Sequence, residues 1–266
     1  MSAVYRYRFG ILAATVVGFV LIWDAFAALV HNPFALAPPW GSAPYDVVYW
    51  FGQITYNPQI HALFVSSLST TIVAIFEGFV LATVVGIPVG FIMGRYIIAD
   101  YVLDPWVNAW YSIPAVAFVP LVMNWFGQSS TATVLVAFLI AVFSIIINVY
   151  EGVKNVSNSL VEPAMSFGAN QTQMIYKVIF PASLPSIMVG LRIGISRSID
   201  GVIIAEMIFT VVGFGGMIFD AADKLELGLA VALVIVLAIL SIALNEMMKR
   251  LTKYVVAWKE SAAMAR

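Results

Sequence analysis

The chain contains no cysteine, and that absence excludes disulfide staples and thiolate metal sites. Charge is also scarce: Asp, Glu, Lys and Arg make up 10% of 266 residues, against about 25% in an ordinary soluble domain. Such a chain cannot clothe a globule in a polar shell. The net charge of -1 gives no basic surface for a nucleic acid. Neither a G-x-x-x-x-G-K-[ST] phosphate loop nor an HExxH pair occurs, so nucleotide hydrolysis and zinc chemistry have no site to start from. No catalytic constellation is identified.

What fills the sequence is apolar. Hydrophobic residues reach 62% and the mean hydropathy is +0.98, the composition of a polytopic membrane protein. Residues 105–126, 131–150 and 227–245 carry no Asp, Glu, Lys or Arg, and each approaches the roughly 20 residues that a helix needs to cross hydrocarbon. Residues 9–30 are interrupted only by Asp24. Residues 62–94 read as one long, bent helix with Gly86, Pro88 and Gly90 near its end, and 185–212 as a more polar last block. The expected fold is all-α with six transmembrane helices.

Basic residues orient these spans. With six crossings, Arg6, Arg8, Arg95, Lys154, Lys177, Lys249, Arg250, Lys253, Lys259 and Arg266 share one side, and Lys224 alone falls on the other. The positive-inside rule then makes both termini and the 154–184 insert cytoplasmic. The first span is too long for a cleavable signal peptide. Residues 31–60, rich in aromatics, are expected outside, with His31 and His61 outside or at the outer membrane edge. The organisation expected is a first helix with an external segment (1–61), a core of five helices (62–250) and a cytoplasmic tail (251–266).

The 154–184 insert is the most polar stretch between greasy blocks. Ser159 followed by Glu162, and Asn170 followed by Gln173, are two capping-box patterns, so two short helices are expected with a break at Gly168. Pro163 suits the first turn of the earlier helix and Pro181 the end of the later one. An exposed helix of this kind is either a plain connection or a handle for another protein.

Ionisable residues inside the spans are Glu77, Arg192, Arg197, Asp200 and Glu206. Charge in lipid is costly unless it faces protein or water, which places the fifth helix centrally, and Gly190, Gly194 and Gly201 permit close approach there. Arg192 and Glu206, nearer the helix ends, read as structural pairing. Glu77, Arg197 and Asp200 fit pairing and a polar pathway equally, Arg197 and Asp200 lying three residues apart on one face. Pro114 and Pro120 in the third span imply a kinked helix, either beside a pathway or bent for packing.

The spacing of Glu162, Ala164, Gly168, Val178, Phe180 and Pro181 resembles the signature E-A-A-x3-G-x9-I-x-L-P of the inner-membrane permeases of binding-protein-dependent ATP-binding-cassette importers. Runs at 113–121 (IPAVAFVPL), 125–127 (WFG), 148–153 (NVYEGV), 184–185 (LP), 190–192 (GLR), 205–206 (AE) and 212–216 (VGFGG) resemble the branch that imports nitrate, sulfonates and taurine. The resemblance covers about residues 62–250. It implies a type I importer permease in a bacterial inner membrane, working with two ATPase subunits, an external or periplasmic solute-binding protein, surrounding membrane lipid and a second permease copy as a homodimer. ATP and Mg would belong to the ATPase, and no cofactor to this chain. Carried over by motif, Glu162, Pro163, Ala164, Met165, Ser166, Phe167, Gly168 and Ala169 form the ATPase-coupling site. Glu77, Pro114, Pro120, Arg197 and Asp200 are the translocation-pathway candidates.

Departures from the family pattern limit the carry-over. Pro163 replaces a common alanine, Thr70 or Thr71 stands where a basic residue is frequent, and 198–201 reads SIDG where a tryptophan is frequent. Asp200 in a pathway disfavours a simple anion, so nitrate and taurine are not carried over. Two other classes fit parts of the pattern. An ion-driven secondary transporter would use Glu77, Asp200 and Glu206, and a membrane scaffold would use the loop alone.

Overall fold

The computed structural model describes residues 2–29, 44–209 and 213–256, and every described element is helical. In order they are α1 (Ser2–Leu29), α2 (Pro44–Tyr56), α3 (Pro58–Arg95), α4 (Ile97–Ser112), α5 (Phe118–Phe126), α6 (Ser130–Lys154), α7 (Asn158–Ser166), α8 (Gln171–Phe209), α9 (Phe214–Asp223) and α10 (Leu227–Val255). Four of them, α3, α6, α8 and α10, are long and apolar enough to cross a membrane. His31 and most of the tail lie outside the described residues.

The 105–126 stretch is not one helix. Ile113, before Pro114, takes an extended conformation (φ -71°, ψ 130°), as the clash with a following proline ring demands, and α4 stops at Ser112. A 3₁₀ turn over Ala115–Ala117 follows, and α5 begins with Pro120 in its first turn, where no N–H is owed. The expected kink is a full break.

Pro181 does not end its helix either. Residues Met174–Ile179 widen to a π-helix just before it, and the chain continues helically to Phe209. A widened turn leaves room for a ring that would otherwise strike the carbonyl four residues back.

Contacts divide the chain into two units, residues 1–67 with 217–237 and residues 68–216 with 238–266. In the first, Asn57 caps the start of α3 by accepting from Gln59 N (3.1 Å), and His61 Nδ1 donates to Ile54 O (3.1 Å). In the second, α6 and α8 pack along their lengths, and residues 68–95 of α3 join them. Glycine sets the spacing: a Cβ on Gly78, Gly86, Gly90 or Gly94 would fall within 2.8 Å of α6 atoms. On α8, Gly190, Gly194 and Gly201 face Asn148, Ile145 and Ala137 in the same way. In lipid, where apolar burial does not separate helix from solvent, such close backbone approach supplies the association energy. Ile145, fully buried between Gly86 and Gly194, is the tooth of this interface.

Candidate functional site

The connection between α6 and α8 begins with a cap two residues earlier than the sequence pattern suggests. Ser157 is already extended (φ -61°, ψ 133°) and its hydroxyl accepts from Ser159 N at 3.3 Å, so Ser157 and not Ser159 caps α7. Pro163 therefore lies within the helix rather than in its first turn. At the other end Gly168 N donates to Met165 O (2.9 Å) and Ala169 N to Ala164 O (3.0 Å), with Gly168 at φ +77°. This is a Schellman ending, which requires a left-handed residue where Gly168 stands. Asn170 and Gln173 then form the expected reciprocal capping box at the start of α8.

This geometry sorts the side chains by direction. Val161, Ala164 and Ala169 pack against the buried cluster of α6 and α8. Glu162, Pro163, Met165, Ser166 and Phe167 are exposed, Phe167 to 92%. The loop is anchored by Arg95, whose Nη2 donates to Gln171 Oε1 (2.8 Å). Beside it Lys154 donates to Asp100 Oδ2 (2.9 Å) and to the Tyr150 hydroxyl. The Lys154 ammonium and the Tyr150 hydroxyl hold the Asp100 carboxyl below the usual carboxylate range.

A second polar centre lies inside the span. Glu206 is 1% exposed, and its carboxylate receives Thr71 Oγ1 (2.8 and 2.9 Å) and Gly215 N (2.8 Å). Phe214 N donates in turn to Thr71 Oγ1 (2.8 Å). The start of α9 thus folds over the carboxylate, and only glycine fits: a Cβ on Gly213 would sit 2.3 Å from Glu206 Cδ, and one on Gly215 2.6 Å from Ile203 O. This knot explains Gly213 and Gly215 of the glycine-rich run. A buried carboxylate costs several kcal/mol unless its lone pairs are met, and among the described residues hydroxyl and backbone donors meet them without a cation.

The remaining predicted residues are spread out. Glu77 is exposed and lines a cavity of about 340 Å³ with Ser69, Thr70, Ser130, Thr133 and Glu206. Arg197 and Asp200 form a loose i,i+3 pair at 3.7 Å with both side chains about half exposed. Arg192 is exposed, Pro114 stands at the α4–α5 break and Pro120 is exposed in α5.

Residues 86–260 match the family model described as binding-protein-dependent transport system inner membrane component. The chain belongs to that family. This inner membrane component is 31% identical over 193 residues to the taurine transport system permease protein of Escherichia coli, covering 73% of this chain and 69% of that protein. It is 29% identical to the bicarbonate transport system permease protein of Synechococcus elongatus, over 79% and 76% of the two chains. In fold it is similar to the methionine ABC transporter MetNI in inward-facing conformations, with TM-score 0.66 and 19% identity, covering 75% of this chain and 99% of that one. An amino acid ABC transporter gives TM-score 0.61 at 15% identity, over 78% and 97%. The chain is accordingly a multi-pass inner membrane permease subunit of the nitrate, sulfonate and taurine type of branch, with the type I importer permease fold. The match favours the importer permease over the ion-driven transporter and the scaffold.

Sequence reasoning missed Thr71, Gly213 and Gly215 as partners of Glu206, and Arg95 and Gln171 as the loop anchor. Thr71 and Glu206 are 135 positions apart, and no local pattern joins them. A threonine inside an apolar run, a glutamate near a span end and an adjacent glycine-rich turn were the available signals.

Proposed function

We propose that this permease moves a small solute, delivered by an external binding protein, through alternating access driven by two separate ATPase subunits that hold ATP and Mg. The observation that carries the reading is the outward face of α7 and its glycine turn. Phe167 at 92% exposure beside exposed Met165 and Glu162, on a helix whose other face is packed, is a surface made for a partner. Glu162, Pro163, Ala164, Met165, Ser166, Phe167, Gly168 and Ala169 are the proposed coupling site. A rigid motion of that site is passed to α6 and α8 because the Arg95 and Gln171 contact and the Val161, Ala164 and Ala169 packing tie it to them.

The proposed topology has six spans with both termini in the cytoplasm, a first helix and external segment over 1–61, a core over 62–250 and a tail over 251–266. Two copies pair as a homodimer around a pathway to which Glu77, Pro114, Pro120, Arg197 and Asp200 contribute. Mixed charge in that pathway supports a solute with both donor and acceptor groups or a small organic ion. The experiment is uptake and ATP hydrolysis by the reconstituted complex. Gly168→Trp and Glu162→Lys should leave the permease folded and separate hydrolysis from uptake. Normal stimulated hydrolysis and normal uptake in both variants would remove the coupling assignment. The same preparation should contain a chain with a phosphate loop.

A further inference from the structure

Between the ends of α3 and α6 and the loop that joins α7 to α8 lies a cavity of about 610 Å³. Arg95 is the last residue of α3 and Lys154 the last of α6, and both line it. The other polar lining groups are Asn170 and Gln171, at the capped start of α8. All four side chains carry N–H donors, and among the described residues no carboxylate lines the cavity. The rest of the wall is apolar and includes the buried Val153, Met174 and Ile179.

Neither cation is fully consumed by its neighbours. Arg95 Nη2 donates to Gln171 Oε1 (2.8 Å), and the guanidinium lies 5.8 Å from the ring centre of Tyr96. Its Nε is enclosed by protein, so a ligand meets the guanidinium at its Nη end. Gln171 is neutral and leaves the charge of Arg95 uncancelled. Lys154 is held by Asp100 Oδ2 (2.9 Å) and the Tyr150 hydroxyl, neither of which lines the cavity, and its side chain stays 49% exposed. Asp100 offsets that ammonium, so the charge left to the cavity is that of Arg95.

The depth of the cavity follows from the helices that frame it. α3 and α6 are both long and apolar enough to cross a membrane, so their last residues stand at its boundary. Tyr96 and Tyr101, both exposed, follow directly, and aromatics of this kind favour that level. Cationic donors and apolar walls at the boundary suit an amphiphile whose anionic group stays there while its chains enter the bilayer. We infer that this cavity binds the headgroup of an anionic phospholipid, its phosphate accepting from Arg95 and Lys154 beside the neutral amides of Asn170 and Gln171. A guanidinium edge suits phosphate oxygens. A free phosphate finds the same donors and leaves the apolar wall uncovered, which favours the lipid. Val161, Met165 and Ala169 of the loop share the cavity with the span ends, so a bound headgroup bridges the two. The stiffness of that link then follows the anionic fraction of the membrane.

The test uses the full-length permease, delipidated in a neutral detergent, and needs neither ATP nor a solute. Retention of dioleoylphosphatidylglycerol, dioleoylphosphatidylcholine and glycerol phosphate is measured by native mass spectrometry, with the thermal unfolding midpoint as a second readout. The phosphatidylglycerol should be retained about tenfold better than the phosphatidylcholine and should raise the midpoint more, and glycerol phosphate should not be retained. Arg95→Gln should bring the two lipids level. Arg95→Lys should fall between, since it keeps the charge and loses the fork. Gln171→Ala breaks the same loop anchor without removing a charge, so it should keep the preference for phosphatidylglycerol. Asp100→Asn frees the Lys154 ammonium and should hold or strengthen that preference. Lys249→Gln, at the exposed end of α10, should leave it unchanged. The assignment is overturned by equal retention of the two lipids in the parent, by glycerol phosphate retained as well as phosphatidylglycerol, or by a folded Arg95→Gln variant with the parent's preference. A loss in Gln171→Ala or Lys249→Gln as large as in Arg95→Gln would overturn it too, as loop anchoring or diffuse attraction would then account for the effect.

Discussion

Glu162 and Glu206 are the same residue in opposite settings. Glu162 stands on the open face of α7, which ends in a turn whose Gly168 has open space around it. Glu206 is 1% exposed and saturated by Thr71 and Gly215. The glycines beside them differ in the same way. Gly168 has free space around it and is required for its backbone angle, whereas Gly213 is required because a Cβ would collide with the carboxylate. In a chain with so few charged residues, these two carboxylates mark two separable settings: one left open on a helix surface, the other consumed inside the fold.

The contrast is broken most severely at Gly213. Gly213→Ala should expel the Glu206 side chain or the turn above it, at a cost of about 3 kcal/mol or more. The measurement is thermal unfolding of the purified permease in detergent; a midpoint equal to the parent would show that the knot yields freely. Glu206→Ala should come next, destabilising by about 2–3 kcal/mol, since it strands a buried hydroxyl and amide without an acceptor. Glu206→Gln, which keeps one acceptor oxygen, should cost less by the same assay.

Gly168→Ala sharpens the other side. The left-handed backbone angle penalises any Cβ by about 1 kcal/mol, yet no neighbour blocks it, so the unfolding midpoint should move little. Uptake relative to hydrolysis should change more than stability does, and an equal fall in both would argue against a docking role. The smallest effect is expected at Asp100. Its carboxyl is held below the usual range by Lys154 and Tyr150, so the contact contributes above the ordinary carboxylate pKa, near 4, and is lost as pH falls through the lowered value. Asp100→Asn should flatten that acid-side loss in an unfolding profile recorded from pH 3 to 7 without altering the neutral midpoint much, because the pair is partly exposed.

The loop between α6 and α8 was legible because its signals are local. A cap, a proline, a glycine at a fixed offset and an Asn-x-x-Gln box act within a few residues, and the errors were small ones: Ser157 took the cap from Ser159 because the chain was already extended there. Pro181 was misread as a stop because a π-turn, which no residue pattern announces, made room for it. The third apolar block was misread as one helix although Pro114 and the extended Ile113 before it break the backbone. Apolarity over 105–126 describes the solvent such a segment tolerates, and continuity is decided by backbone sterics.

By itself the sequence determined that the chain belongs in a membrane, that it is helical, and that it carries a capped polar loop with the spacing of a permease family. These follow from composition and from contacts a few residues long, where the chain has little choice. Only the tertiary structure decided which charges are offered and which are consumed. Whether Thr71 meets Glu206, or Arg197 lies beside Trp110 and Phe143, depends on how segments distant in sequence are brought together. Glycine spacing permits that approach, and the cost of leaving a buried carboxylate unmet favours the Thr71 and Gly215 donors.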